Sequence, residues 1–537
     1  LSEKPRINTL WLWIALSLLC ILAYWPMFGN GFVWDDKEFI TGNPTIRSLW
    51  PITRFFQPQG SAAEGTIYPM TGQRPVMAFS LALDYRLWAY NPFGYHLTNL
   101  FLHLLCVWGV TRMAWLLSRS RGVGFWAGAL FALHPGHAEG VIAFLGRSDL
   151  LATLFTLTGF LAYVQWKKGE GGRKAIWYLF SLTSFSVTCL SKESGLCLLG
   201  ILIVYQGCIL SRRKKEWAGH VLAFVPFVLA SILYWVYRGK ILGGQASGSQ
   251  WWGGSPGANF LMMFEVYARY LRLLFFPLTL SPLHSVLVPK GFWDWRVLWG
   301  ALVLFGTLWG TLYALRRFPR VGFLASWFLI GLIPVANLIP IPGVMILAER
   351  WLYLPSVGIC VLGGWGAWLL YQQARGWIRW SWVGLVLVGL SLFGTRIFLW
   401  NRTWKTEETI SRAFVTALPD NAFGYNNLGA ALYEQGKLRE SEDVFRKAIQ
   451  LDPEHVQAHV NLGNMLDDSG RLFEAEGEYR QAIRLDPKYT LAYYNLAVVL
   501  IHQNRKGEAA EVLETYLAQG GKNRDEAEAM IHNLRGH

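Results

Sequence analysis

The chain has 537 residues, 53% of them hydrophobic and 16% charged, against about 25% charged in a soluble domain. Its net charge of +14 is uneven: residues 403–537 carry 15 basic and 21 acidic side chains, and residues 1–402 carry 34 basic and 14 acidic. This excludes a soluble globular enzyme. The basic residues sit in short loops between apolar runs, which argues against nucleic acid as a partner and for topology and lipid-phosphate contacts.

Apolar runs of about 20 residues are long enough to span a bilayer core. Eleven spans are predicted, near 9–28, 95–117, 123–143, 148–166, 175–190, 195–210, 220–237, 295–315, 321–341, 351–371 and 380–399. The first has no small-residue cleavage site after it and reads as an anchor. Six basic clusters then share one side: Lys4/Arg6, Arg119/Arg121, Lys167/Lys168/Arg173/Lys174, Arg212/Arg213/Lys214/Lys215, Arg316/Arg317/Arg320 and Arg375/Arg379. The positive-inside rule makes that side cytoplasmic. A further apolar segment, 261–283, carries Glu265, Arg269 and Arg272 at helical spacing, then Pro277 and Pro282. It is expected to lie as an interfacial or re-entrant helix on the outer side. The odd number of crossings puts loop 29–94, the turns near 134–147, 191–194 and 342–350, and the region after 402 opposite the cytoplasm. The six cysteines all fall in apolar segments without metal-ligand or redox spacing, and say nothing about redox compartment.

The outer turns hold ionisable groups in apolar surroundings. In chain order they are Asp35-Asp36 after the first span, Arg74 in Gln-Arg-Pro-Val, Asp84 and His96, then His134, His137 and Glu139 with Arg147 and Asp149. Lys192-Glu193 and Glu349-Arg350, with Tyr353, complete the set. An ionised group at mid-membrane costs roughly 2.5–3.5 kcal/mol, less towards the interface. Each group alone has an ordinary explanation, such as a helix cap for the aspartates, or local charge pairs or interfacial snorkels for Lys192-Glu193 and Glu349-Arg350. Arg74 and Arg147 run against the positive-inside bias, so an anionic partner is expected there. Together the set reads as an acidic base beside a phosphate-binding cluster.

From residue 420 the sequence repeats every 34 residues. Asn427-Leu428-Gly429, Asn461-Leu462-Gly463 and Asn495-Leu496-Ala497 are in register, as are Pro419, Pro453 and Pro487. That period is the tetratricopeptide (TPR) signature, with units near 420–453, 454–487 and 488–521 and a half unit before them. Such arrays form a concave surface for extended peptides. The amides of Asn427, Asn461 and Asn495 offer donor and acceptor for a bound peptide backbone, although Asn could simply be common at this repeat position.

FVWDDKEFITGNPTI (32–46), QRPV (73–76), YHLTNLFLHLL (95–105), HPGHAEGVIAFLGRSDLLA (134–152), SKESG (191–195) and ERWLYLPSVG (349–358), in this order and followed by TPRs, resemble the transmembrane-and-TPR protein O-mannosyltransferase (TMTC) family of the GT-C glycosyltransferase superfamily. The resemblance covers nearly the whole chain. The TPR array is shorter than in many relatives, and QRPV stands where the family tends to have Tyr-Arg-Pro-Leu.

The resemblance implies an all-α fold: a GT-C-like polytopic membrane helical bundle over 1–402 and a C-terminal TPR α-solenoid over 403–537. It implies sugar transfer, with mannose as the sugar, from a polyprenyl-phosphate donor to Ser/Thr hydroxyls of proteins on the non-cytoplasmic face. Asp35 matches the leading acid of the first loop and is expected to be the base, with Asp36 beside it in the catalytic pair. Arg74, Arg147, Lys192 and Arg350 are expected to bind the donor phosphate, Arg by bidentate contact and Lys as a point charge. His137, Glu139, Asp149, Glu193 and Tyr353 are expected to orient them or contact the sugar, and the TPR asparagines to hold the acceptor. No metal or other cofactor is expected. The partners expected are the lipid-linked sugar, an acceptor protein and membrane lipids. A bacterial inner membrane with periplasmic TPRs is favoured over the endoplasmic reticulum membrane. The alternative is a non-catalytic membrane-anchored TPR scaffold, and a transporter would need charges at mid-membrane depth.

Overall fold

The computed structural model describes residues 9–57, 74–210, 221–242, 251–277, 279–337, 345–521 and 523–536. The clusters Lys4/Arg6 and Arg212/Arg213/Lys214/Lys215, residue Gln73 and the first residues of turn 342–350 lie outside them. All regular structure among the described residues is helical. The chain divides into one unit reaching Lys405 and another beginning at Thr406.

The first unit contains α1 (Thr9–Tyr24), α2 (Pro75–Trp88), α3 (Pro92–Ser118), α4 (Arg121–Ala132), α5 (Ala138–Ile142), α6 (Arg147–Lys168) and α7 (Arg173–Ser191). It continues with α8 (Cys197–Tyr205), α9 (Val225–Leu242), α10 (Pro256–Phe275), α11 (Trp295–Arg317), α12 (Pro319–Leu332), α13 (Ser356–Gln373) and α14 (Gly376–Thr403). Helices stand at all eleven expected segments. Six described stretches are long and apolar enough to cross a membrane: Leu10–Gly29, Pro92–Ser118, Glu193–Leu210, Leu222–Ile241, Trp295–Arg317 and Gly376–Thr403. A seventh results if Pro135–Ile142 and Phe144–Lys168, bent by 101°, form one span.

Two of the four remaining segments, 123–143 and 175–190, fall short for identifiable reasons. Helix α4 stops after 12 residues, because Pro135 cannot continue it and the His134 ring accepts the Gly136 amide at 3.1 Å. Helix α7 is diluted by Ser181 and Thr188, whose hydroxyls donate to the Gly159 and Ala152 carbonyls of α6 at 2.9 and 2.7 Å. Such small hydroxyl residues let two helix backbones approach closely. Loop 29–94 contains a helix that apolar-run counting passes over, α2, started by Pro75 at a position where its missing N–H costs nothing. Segment 261–283 is helical only as far as Phe275, the end of α10, where Glu265 pairs with Arg269 at 2.5 Å and with Arg296 at 3.8 Å. Its other face packs Met262, Val266, Tyr270 and Leu273 against Phe328, Leu332 and Leu352.

Large apolar side chains face outward along α11 and α14, among them Leu302, Phe305, Trp309, Leu385 and Leu392. Charged groups such as Asp84, Glu139, Arg147 and Lys192 are buried inside. This inverts the arrangement of a soluble domain and marks a membrane protein.

The second unit is a TPR array. A leading helix α15 (Glu407–Ala417) precedes three pairs: α16 (Ala422–Glu434) with α17 (Leu438–Leu451), α18 (Val456–Asp468) with α19 (Leu472–Leu485), and α20 (Thr490–His502) with α21 (Lys506–Ala518). Helix α22 (Arg524–Arg535) follows. Gly436 and Gly470 take φ of 73° and 74° between paired helices, and Asn504, at 63°, does so in the third pair. A Cβ on Gly463 would meet the Tyr479 ring at 2.7 Å, and one on Gly429 the Phe445 ring at 2.6 Å. The first two units therefore keep a glycine where an aromatic from the second helix packs.

Candidate active site

The first outer loop is folded tightly around its acidic pair. Trp34 adopts φ 51°, a left-handed conformation that a bulky side chain holds only when its surroundings enforce it. Asp36 supplies the enforcement. Its amide donates to the Val33 carbonyl at 3.1 Å, and its Oδ2 accepts the Val33 amide at 3.3 Å. Its Oδ1 accepts the Phe144 amide at 3.2 Å. Asp36 is buried and ties the loop to the turn before α6, so it is an anchor rather than half of a catalytic pair. Asp35 is solvent-accessible. The surrounding protein still desolvates its carboxyl and raises it above the ordinary value, with the Arg350 guanidinium opposing.

Three cations of the outer turns, of which Arg350 acts on Asp35, are each held by a carboxylate. Arg350 forms an ion pair with Glu139, whose second oxygen also accepts the Arg350 amide at 3.1 Å. Burial alone would lower the Arg350 pKa, but Glu139, Asp149 and Asp35 raise it, so the guanidinium keeps its charge. Lys192 follows the end of α7 and donates to both oxygens of Asp149 at 2.6 and 2.7 Å. Burial draws its ammonium below the usual lysine range, with Asp149 opposing. Arg74, the residue capping α2, contacts Glu193 at 3.3 Å and donates to the Ser148 hydroxyl at 3.4 Å. Its buried Nε has no partner. Arg74 and Arg350 keep 16% and 12% of their side-chain surface accessible, against 4% for Lys192. The two arginines can thus touch a ligand, while Lys192 is mostly enclosed.

Three expected site residues lie elsewhere. Arg147 is fully enclosed: it meets Asp84 at 2.5 Å, and its Nε and Nη2 donate to Asn99 Oδ1 at 2.8 Å and the Tyr95 carbonyl at 2.9 Å. With its donors spent on α2 and α3, it fastens the start of α6 and offers nothing to a phosphate. His137 lies between the Phe131 carbonyl at 2.8 Å and the Ser356 hydroxyl at 2.7 Å. Tyr353 hydrogen-bonds His103 at 2.6 Å. Both are wholly buried, so they build the core beneath the site and do not face a sugar.

The structure also brings in residues the sequence reading missed. Arg238 of α9 stands 3.5 Å from Glu193 Oε2, making Glu193 the bridge between Arg74 and Arg238. Its basic charge at the outer end of an apolar run is the same anomaly that singled out Arg74. Glu349 does not pair with its neighbour Arg350. It accepts the Ser281 amide at 2.7 Å and lies 3.1 Å from His284 Nε2. Burial and Glu139 push the Glu349 carboxyl well up, with the Ser281 amide opposing, and burial holds His284 down at about 4. No sequence spacing links 281–284 to 349. Among the described residues no group of three or more His, Cys, Asp or Glu is arranged to hold a metal ion.

In the TPR unit, Asn461 Nδ2 donates to Asn426 Oδ1 at 2.9 Å and Asn495 Nδ2 to Asn464 Oδ1 at 2.7 Å. Successive first helices are thus joined by amide pairs. Asn427 is half-buried at the equivalent position of the first unit.

The tetratricopeptide repeat pattern matches residues 426–490 and 468–534. Over most of its length the chain is similar to the protein O-mannosyl-transferase Tmtc3 of Drosophila melanogaster, 26% identical over 84% of this chain and 56% of that one. It is similar to TMTC4 of Mus musculus, 27% identical over 81% of this chain and 66% of the relative. It is also similar to TMTC1 of Homo sapiens, 30% identical over 80% and 54%. The chain therefore spans between 54% and 66% of the length of these relatives.

Proposed function

We propose that this chain, a TMTC-like relative of protein O-mannosyl-transferases, is an integral-membrane glycosyltransferase that acts on proteins. The donor is a polyprenyl-phosphate sugar, mannose in the first instance, and the acceptor is a Ser or Thr hydroxyl on the non-cytoplasmic face. Asp35 takes the hydroxyl proton while the oxygen attacks the anomeric carbon. The bond from that carbon to the phosphate oxygen breaks, and the lipid phosphate leaves with the electron pair. A single displacement inverts the anomeric centre. Proton removal of this kind contributes typically 10²–10⁴-fold, an order-of-magnitude figure.

One observation carries the reading: a solvent-accessible carboxyl with a raised pKa stands in the field of Arg350, a cation clamped by a buried carboxylate. Fixed cations in a water-poor site stabilise a leaving phosphate without reorganising during the reaction. Arg350 and Arg74 make that contact, Lys192 sets the potential behind them, and no metal is called for. The TPR array binds the acceptor, with Asn461 and Asn495 using the carbonyl lone pairs that their ladder bonds leave over. A bacterial inner membrane with periplasmic TPRs suits this reading.

The test is mass spectrometry of outer-side proteins from cells expressing wild type, Asp35→Asn or no protein. A hexose on Ser/Thr peptides with wild type alone is expected. Equal profiles in all three, with the protein shown to be inserted, would reject the enzyme and favour a membrane-anchored TPR scaffold.

A further inference from the structure

The far ends of two site helices carry a second feature. Helices α3 and α6 begin beside the candidate active site and run side by side. Helix α6 has 22 residues, about 33 Å at 1.5 Å per residue, close to the ~30 Å of a hydrocarbon core. At their other ends lies a cavity of about 260 Å³ lined by Arg112, Trp115, Leu116, Arg119, Gln165 and Lys168.

Three cations line this cavity, and among the described residues none is paired with a carboxylate. The Arg112 guanidinium lies 4.9 Å from the Trp115 ring centroid, and Arg121, beyond the turn, lies 5.1 Å from the same ring. Tryptophan at the end of a spanning helix sits at headgroup level. Arg119 is the more telling residue. It ends α3 at φ 59° and ψ 21°, its amide donating to the Trp115 carbonyl at 2.7 Å. Glycine takes this left-handed capping position without steric penalty, as Gly436 and Gly470 do in the TPR unit. A topology signal would need only a positive charge somewhere in the turn. A guanidinium held in an unfavourable backbone conformation at the rim of a basic cavity needs another reason.

We propose that this cavity binds the phosphate of an anionic phospholipid headgroup at the cytoplasmic face. Arg112 and Arg119 supply planar donors for the phosphate oxygens, and Lys168 a compact charge. Gln165 adds a neutral donor, and Trp115 and Leu116 meet the glycerol and the first methylenes. The site lies a membrane's thickness from Asp35 and is independent of the glycosyltransferase reading.

The test uses the full-length chain in a neutral detergent, with thermal unfolding followed by tryptophan fluorescence. Phosphatidylglycerol, phosphatidylcholine or inorganic phosphate is added at equal molar concentration. For wild type, phosphatidylglycerol is expected to raise Tm several degrees more than phosphatidylcholine, with inorganic phosphate inert. Arg119→Gly should keep the lipid-free Tm at or above wild type, since glycine suits that φ, yet lose at least half of the difference between the two lipids. The triple variant Arg112→Gln, Arg119→Gly, Lys168→Gln should lose it entirely. If the triple variant does not fold, Arg119→Gly decides alone. An undiminished lipid difference in the variants overturns the proposal. An equal shift from inorganic phosphate also overturns it, and assigns the cavity to a soluble phosphate.

Discussion

At the scale of single residues, charge alone does not distinguish a ligand-binding cation from a structural one. Arg147 and Arg350 both sit in outer turns of the sequence, but Arg147 has no accessible surface and Arg350 retains some. Asp84→Asn is therefore expected to act on folding. Removing one partner of a buried ion pair costs about 3–5 kcal/mol, so the folded yield by fluorescence-detected size exclusion should collapse. Arg350→Lys keeps the charge but loses the planar fork, and should lower kcat/KM for the donor about tenfold or more while leaving the folded yield intact. Asp35 must be deprotonated to act as base, so transfer should fall as pH drops, with a midpoint above the ordinary carboxylate value of about 3.9. Arg350 opposes that upward shift. In Arg350→Gln the carboxyl should rise further, and the acid limb of kcat/KM should move to higher pH.

At the scale of elements, the site is made where helices break. Helix α4 ends at His134-Pro135, α7 ends at Lys192, and the chain turns sharply at Gly146, where a Cβ would sit 2.3 Å from the Gly140 carbonyl oxygen. Backbone cannot yield there as a flexible side chain could. Gly146→Ala should abolish transfer and lower Tm, whereas Gly172→Ala, with nothing within 4 Å, should be neutral in both assays. In the TPR unit, His459 joins α18 to Glu478 of α19 at 2.6 Å. Burial pulls the His459 pKa down, but Glu478 and the Pro453 carbonyl more than reverse this, leaving it raised. The protonated pair thus adds stability that is complete below about pH 6.5 and is lost as pH rises through the raised value. The TPR transition in thermal melts should shift down between pH 6 and pH 8.5, and Glu478→Gln should remove that part of the shift.

At the scale of the molecule, the proposed topology puts the first loop and the start of the TPR unit on the same, non-cytoplasmic side. The native cysteines are buried or half-buried, so introduced ones can report side. Ser48→Cys and Thr416→Cys should react in intact cells with a membrane-impermeant maleimide, and Gly172→Cys should react only after permeabilisation. Labelling of Gly172→Cys in intact cells would reverse the orientation.

The sequence by itself determined the membrane class, the helical content and the TPR register. These depend on local composition and on periods of about 20 and 34 residues, which survive without any long-range contact. It also singled out Asp35, Arg74, Lys192 and Arg350, because an ionisable group in apolar surroundings stands out wherever it folds. The tertiary structure alone decided what each charge faces. Asp36 turned inward to the Phe144 amide, Arg147 to Asp84, and Glu349 to Ser281 and His284 rather than to its neighbour. Those pairings join residues 63 to 108 positions apart, and no periodicity encodes them. They follow from which helix ends converge, and convergence is set by the packing of whole helices.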